Sequence, residues 1–215
     1  MEIHAYDEEY LTYAQRVLGD MMDFAVNTCD MEADDYFVRF IVSGIAAQFG
    51  SGNPKYVVGM TGCEVVRVVM EQSGMPLSDD ITDEMYLDKS PEYWAGWALC
   101  YYQWLTGYTF SHIHHAVSIS ELLGMYPTLH EADITKFVGI MHEKMKAAYP
   151  ETNLKRLRTL AGLSQSELAR QSGVSLRQIQ LFEQRQRDIN RTQALNLLRL
   201  ARVLCCRMED LIEHM

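Results

Sequence analysis

The stretch from Asn153 to Gln186, NLKRLRTLAGLSQSELARQSGVSLRQIQLFEQRQ, limits the fold more than any other part of the sequence. Leu154, Leu157 and Leu160 recur at helical spacing, and Gly162 stops that first helix. Ser164 has the residue type of a helix N-cap, and Glu167 three positions later completes a capping box. Leu168 and Ala169 face inward on the second helix, which stops at Gly173. Ser175 opens a third helix whose inward residues are Ile179 and Phe182. Ala169 is small enough to let the helices cross closely, and Val174 and Ile179 fill the space between them.

Two short helices joined by a tight glycine-containing turn form a helix-turn-helix. The stretch resembles the DNA-binding domain of the Cro and phage-repressor family. The matching residues are Leu163-Ser164-Gln165, Glu167-Leu168-Ala169, Gly173-Val174-Ser175, Ile179 and Phe182-Glu183, and the likeness runs on to about Ile212. It covers none of the first 150 residues. It implies that Arg158 and Glu183 form a partly buried ion pair that sets helix orientation. It implies that Gln165 holds a backbone phosphate at a helix N-terminus, where anions are favoured. Ser175, Leu176, Arg177, Gln178, Gln180 and Leu181 fall where the family presents side chains to the major groove. Arg177 is the strongest base-reading candidate, because a guanidinium can grip guanine O6 and N7 together. Leu176 or Leu181 could pack on a thymine methyl. Gln184, Arg185 and Arg187 are expected along the phosphate backbone. Arg185 and Ile189-Asn190 stand where the family often has glycine and proline, so the turn after the third helix is expected to differ.

The net charge of −10 over 215 residues is unlike that of a DNA binder until it is divided. Residues 1–150 carry 8 Lys/Arg against 22 Asp/Glu, a net of −14. From Thr152 to Arg207 there are 11 basic residues and 3 acidic ones, a net of +8. A basic module attached to an acidic body fits double-stranded DNA as a partner and keeps the acidic part away from phosphate. Residues 1–10 are acidic without an apolar core, and no run of 18 apolar residues occurs. No export signal and no membrane association are therefore expected, and the expected location is bacterial or phage-host cytoplasm. The five cysteines then read as reduced thiols, with Cys205 and Cys206 as small apolar residues buried on a late helix.

The first half reads as helices throughout. One is expected from Asp7 to about Thr28, a second from about Ala33 to Phe49, and a connector from Gly50 to Gly59. Thr61 and Glu64 box the start of a helix to about Gln72. Met75 to Lys89 is polar and poorly periodic. Ser90-Pro91 opens a helix to Gly107. Ser118 with Glu121, and Thr128 with Glu131, mark two further helix starts, the last running from about Leu129 to Ala148. Tyr149-Pro150-Glu151 breaks it and is the expected boundary between domains 1–149 and 150–215. The fold class is all-α: an N-terminal bundle of five or six helices and a C-terminal five-helix repressor-like domain.

Trp94, Trp97, Tyr101 and Trp104 make an aromatic stripe in the first half. Helical spacing makes core its first assignment, with a partner or ligand surface as the alternative. His112, His114 and His115 lack the spacing of a clean ligand pair, so no metal is expected. No catalytic or cofactor fingerprint occurs, so neither an enzyme nor a cofactor is expected. The expected function is a sequence-specific, repressor-like transcriptional regulator that binds operator DNA as a homodimer. Its first half would dimerise and take a signal or partner. The alternative is an antitoxin-like protein, whose first half binds a partner protein while the second autoregulates an operon. An enzyme with a DNA-binding tail is a third.

Overall fold

A computed structural model describes residues 4–78, 80–83 and 88–213. The chain divides into two compact units, Met1–Met145 and Lys146–Met215. The described residues contain helices and turns and no strand.

Helix α1, Leu11–Asp23, organises the first unit. A 3-10 turn at Glu8–Tyr10, capped by Asp7, leads into it, and a π-helical turn at Phe24–Thr28 follows it. Ala14, Val17, Leu18, Met21 and Met22 are all buried, at three- and four-residue spacing. α1 packs on α6 (Pro91–Thr106) and α5 (Gly62–Gln72). Glycines allow the close approach. A Cβ on Gly96 would sit 2.4 Å from the Leu18 carbonyl oxygen, and one on Gly62 would sit 2.3 Å from the Met21 amide nitrogen. Two carboxylates on α1 are buried and partnered. Asp20 takes the Lys89 ammonium at 3.0 Å, and Asp23 accepts from Ser90 Oγ and Asn27 Nδ2. Ser90 also caps α6 by accepting from the Tyr93 amide, so one hydroxyl starts α6 and ties it to α1.

The single helix expected over 33–49 is two. α2 (Ala33–Val42) ends at Ser43, Gly44 turns left-handed at φ 78°, and α3 (Ile45–Gly50) begins. The break lets Phe37, Phe40 and Phe49 converge on Phe110 with ring centroids 5.6–6.1 Å apart. The Gly50–Gly59 connector contains a short helix, α4 (Pro54–Val57), started by Asn53. Part of the polar Met75–Lys89 stretch lies outside the described residues. α7 (Phe110–Ala116) and α8 (Ile119–Leu129) follow α6. The Thr61–Glu64 and Ser118–Glu121 capping boxes are both formed. The Thr128–Glu131 box is not. Thr128 lies inside α8 and donates to the Met125 carbonyl, while Asp133 accepts from the Thr135 amide at the start of α9 (Ile134–Ala148).

The aromatic stripe of α6 is not an open surface. Trp104 is 4% exposed, donates to the Tyr6 carbonyl at 2.9 Å and is stacked by His4. Trp94 is 9% exposed and meets Tyr126 and Phe137 edge-on. Only Trp97 and Tyr101 are half-buried. Area burial outweighs presentation here, as expected for the largest apolar side chains of a helix central to its unit.

Asp34 is a staple that sequence spacing could not reveal. It stands on α2 and accepts from the Ile119 and Ser120 amides at the start of α8, from Ser120 Oγ, and from His114 Nε2 at 2.9 Å. Burial raises its carboxyl, but these bonds outweigh that and hold it below the ordinary range. Asp34→Ala is expected to destabilise the first unit by ~1–3 kcal/mol at neutral pH. The lowered folded value means the contribution is full above about pH 3.9 and disappears as pH falls through the folded value. Melting the variant and the parent at pH 7 and pH 3 checks this. A stability gap that persisted unchanged at pH 3 would refute the assignment.

The second unit holds α10 (Asn153–Leu160), α11 (Gln165–Ser172), α12 (Leu176–Glu183) and α13 (Ala194–Leu204), with 3-10 turns at Ile189–Arg191 and Glu209–Leu211. Leu154, Leu168, Val174, Ile179, Phe182 and Leu200 are the centre of its core, each 3% exposed or less. Leu160 and Leu195 stay outside it, at 79% and 52% exposure. Cys205 is exposed and Cys206 half-buried, so this pair is not the buried one expected from sequence. Cys205 lies past the end of α13, where it adopts the left-handed φ of 52° that closes the helix.

Candidate nucleic-acid interface

The geometry of the second unit begins with two caps. Ser164 Oγ accepts from the Glu167 amide at 3.1 Å, and the Ser164 amide donates to Glu167 at 2.8 Å, which fixes the start of α11. Gly173 takes φ 69° and stops it. Ser175 then accepts from the Gln178 amide and starts α12 three residues after α11 ends. Ile179 and Phe182 anchor α12 in the core. Ser175, Leu176 and Arg177 are consequently exposed, while Gln178, Gln180 and Leu181 are half-buried. One helix therefore has a buried anchor face and a face carrying a cation, amides and leucines.

Arg158 and Glu183 lock that helix in place. Arg158 Nε and Nη2 donate to the two Glu183 carboxylate oxygens at 2.6 and 2.9 Å, and Nη1 donates to the Leu163 carbonyl at 2.7 Å. The side chains are 13% and 3% exposed. Gln165 Nε2 donates to the same carboxylate at 2.8 Å. Burial pushes the Glu183 carboxyl up, and the bonds from Arg158 and Gln165 outweigh it and hold the group below its ordinary value. Gln165 is thus held by a protein carboxylate, so its side chain would have to exchange that bond to meet a phosphate.

Arg185 departs from its expected place on the phosphates. It adopts φ 53°, a left-handed conformation that glycine takes at little cost. Its guanidinium donates to the Pro150 carbonyl at 2.9 Å and the Tyr149 carbonyl at 3.4 Å, and faces Glu213 at 3.7 Å. It braces the turn after α12. Gln184 and Arg187 are exposed. Arg156, Arg170, Arg199 and Arg202 are also exposed and, like Arg177 and Arg187, form no ion pair among the described residues. Their number was visible in the charge count, but motif positions did not single them out.

Residues 154–211 match the helix-turn-helix family model. This helix-turn-helix is of the Cro/C1 type, and it makes the second unit the DNA-binding part of a regulator. No curated protein and no solved structure matches the chain. The helix-turn-helix has α11 as its first helix and α12 as its second.

The first unit has a separate feature. A groove of about 540 Å³ is lined by Tyr13, Arg16, Val17, Asp20, Val58, Met60 and Lys89. It lies along α1 and not among the tryptophans of α6. No group of three or more His, Cys, Asp or Glu residues that could hold a metal occurs among the described residues. No described helix is long and apolar enough to cross a membrane.

Proposed function

We propose that this chain is a sequence-specific transcriptional regulator that binds operator DNA through α12 and works as a homodimer. The observation that carries the reading is the exposed Arg177, which has no ion pair among the described residues, beside Leu176 on a helix anchored from behind by Ile179 and Phe182. Ser175, Leu176, Arg177, Gln178, Gln180 and Leu181 read bases, and Gln184 and Arg187 meet phosphate. Gln165 meets phosphate once it leaves Glu183. A single helix-turn-helix covers a small DNA surface, and two half-sites supply the missing affinity and specificity. The exposed Leu160 and Leu195 are apolar area that a second copy could cover. Residues 1–149 dimerise or receive a signal, and the groove along α1 is where a small ligand would enter. No catalytic step is part of this reading.

One observation favours the antitoxin-like alternative. Val38 and Val42, one helical turn apart on α2, are 45% and 79% exposed. A partner protein that neutralises or is neutralised would bury such a pair.

Titration of the full chain against its upstream DNA and a scrambled duplex, at two salt concentrations, tests the regulator. Arg177→Ala is expected to cost ~1–3 kcal/mol and to relax sequence preference. Arg187→Ala should weaken all duplexes alike and lower the salt slope by about 1. Arg185→Ala should leave that slope unchanged, because its guanidinium is occupied by carbonyls. An unaltered preference in Arg177→Ala would remove it from base reading.

A further inference from the structure

The groove along α1 has a chemistry of its own. Tyr13, Arg16, Val17 and Asp20 line it from successive turns of α1, so one face of that helix runs along it for about 10 Å. Val58, Met60 and Thr61, between α4 and α5, line it from a second segment, and Lys89, just before α6, from a third. At about 540 Å³ it has the size of a small-molecule site. Tyr13 and Val58 are exposed, so an aromatic ring and an aliphatic side chain are open to an occupant.

Three of the four charged side chains on the lining are already engaged. Lys89 holds Asp20 at 3.0 Å and lies over the Tyr93 ring at 4.0 Å. Glu64 is tied back to Thr61, accepting from its amide at 2.7 Å and from its hydroxyl at 3.0 Å. Arg16 is the fourth. Its guanidinium lies 5.8 Å from the centre of the Tyr13 ring and has no ion pair among the described residues. The charge left to be matched is therefore positive. A guanidinium takes a carboxylate through two parallel hydrogen bonds. A phosphate ester, with its second negative charge, would face the Asp20 and Glu64 carboxylates on the same lining. An organic cation would face Arg16 and Lys89. The remaining contacts are apolar, and the Met60 thioether packs well on an aromatic ring.

We propose that this groove binds a small aromatic monocarboxylate, with the carboxylate on Arg16 and the ring against Tyr13, Val58 and Met60. The inference rests on the reading of the first unit as the part that receives a signal, and it names the chemical class of that signal. Arg16 supplies the choice of charge, and the apolar lining supplies the choice of body. The Asp20–Lys89 pair stays intact when the ligand binds, because it belongs to the packing of α1.

The full chain, free of DNA, is titrated by calorimetry at neutral pH with cinnamate, and in parallel with cinnamyl alcohol, cinnamylamine and phenyl phosphate. Cinnamate is expected to bind at one site, with the alcohol about tenfold weaker or worse for want of the charged hydrogen bonds. Arg16→Gln should lose that advantage for cinnamate and leave the alcohol unchanged. Arg16 is exposed, so this variant is expected to melt like the parent. Val58→Asp, a second exposed position, should repel cinnamate from the other side of the lining. No saturable binding of cinnamate overturns the proposal. So does tighter binding of phenyl phosphate or cinnamylamine, and so does cinnamate binding that survives in both variants. The duplex titration is then repeated with cinnamate present. A shifted DNA affinity supports both the site and its role in signalling. Cinnamate bound at Arg16 with unchanged DNA affinity, or with no DNA binding at all, supports the site and counts against the regulatory reading alone.

Discussion

Arg158→Ala is expected to unfold the second unit and leave the first one standing. Removing the guanidinium strands a carboxylate whose side chain is 3% exposed, with only Gln165 among the described residues still bonded to it. Breaking a buried pair from one side costs about 3–5 kcal/mol. A single small core supplies about 3–5 kcal/mol in total, so little would remain. The Leu163 carbonyl would also lose its donor, which loosens the entry to α11. Arg158→Lys keeps the charge but cannot bridge both oxygens, so it should fall between the two. The three tryptophans, Trp94, Trp97 and Trp104, all belong to the first unit. Tryptophan fluorescence should therefore melt as in the parent, while circular dichroism loses a transition and DNA binding disappears. An unchanged circular dichroism melt would show that the pair contributes nothing to stability. Acid should act on the same group. The Glu183 contribution is full above about pH 4.3 and is lost as pH falls through the lowered folded value.

The second large effect is expected from Gly96→Ala. The new methyl would stand 2.4 Å from the Leu18 oxygen and 2.9 Å from the carbonyl carbon. Both atoms are backbone, so no rotamer change relieves the contact and α1 must move off α6. Overpacking a close-packed core costs typically ~1–3 kcal/mol, and a clash between two main chains belongs at or above the upper end. Gly139→Ala is the natural control. Nothing lies within 4 Å of its added carbon, and it sits in α9, where alanine favours helix over glycine by about 1 kcal/mol. The two changes should move the tryptophan-detected melt in opposite directions. A shift in the same direction for both would mean that the α1–α6 approach is less tight than described.

These two residues mark what the sequence could and could not reveal. Signals that act over three or four residues were legible. Ser164 with Glu167, Ser118 with Glu121, Thr61 with Glu64, and Ser90 before Pro91 all start helices where the pattern put them. The same logic failed at Thr128 and Glu131, because a threonine hydroxyl can equally bond back to its own helix, and Asp133 offered a competing cap. Contacts between distant segments were silent. Nothing near Asp34 says that it caps a helix 85 residues later, and nothing near Gly96 says that a carbonyl lies against it. The α6 tryptophans show the limit of periodicity, which places residues on a face but does not say whether a neighbour covers it. The helix-turn-helix was readable because its determinants are local and closely spaced. Two finer points still escaped: Gln165 is already bonded to Glu183, and Arg185 turns back on its own chain.

That last feature bears on how the protein could be cut into parts. The junction Tyr149-Pro150-Glu151 looks like the natural place to separate the halves, yet two of its carbonyls are the seats of the Arg185 guanidinium. A DNA-binding fragment begun at Glu151 would remove both carbonyls, leave that side chain only its looser contact with Glu213, and weaken the support of the left-handed turn behind α12. The fragment that keeps the turn's support starts upstream of Tyr149, at Lys146.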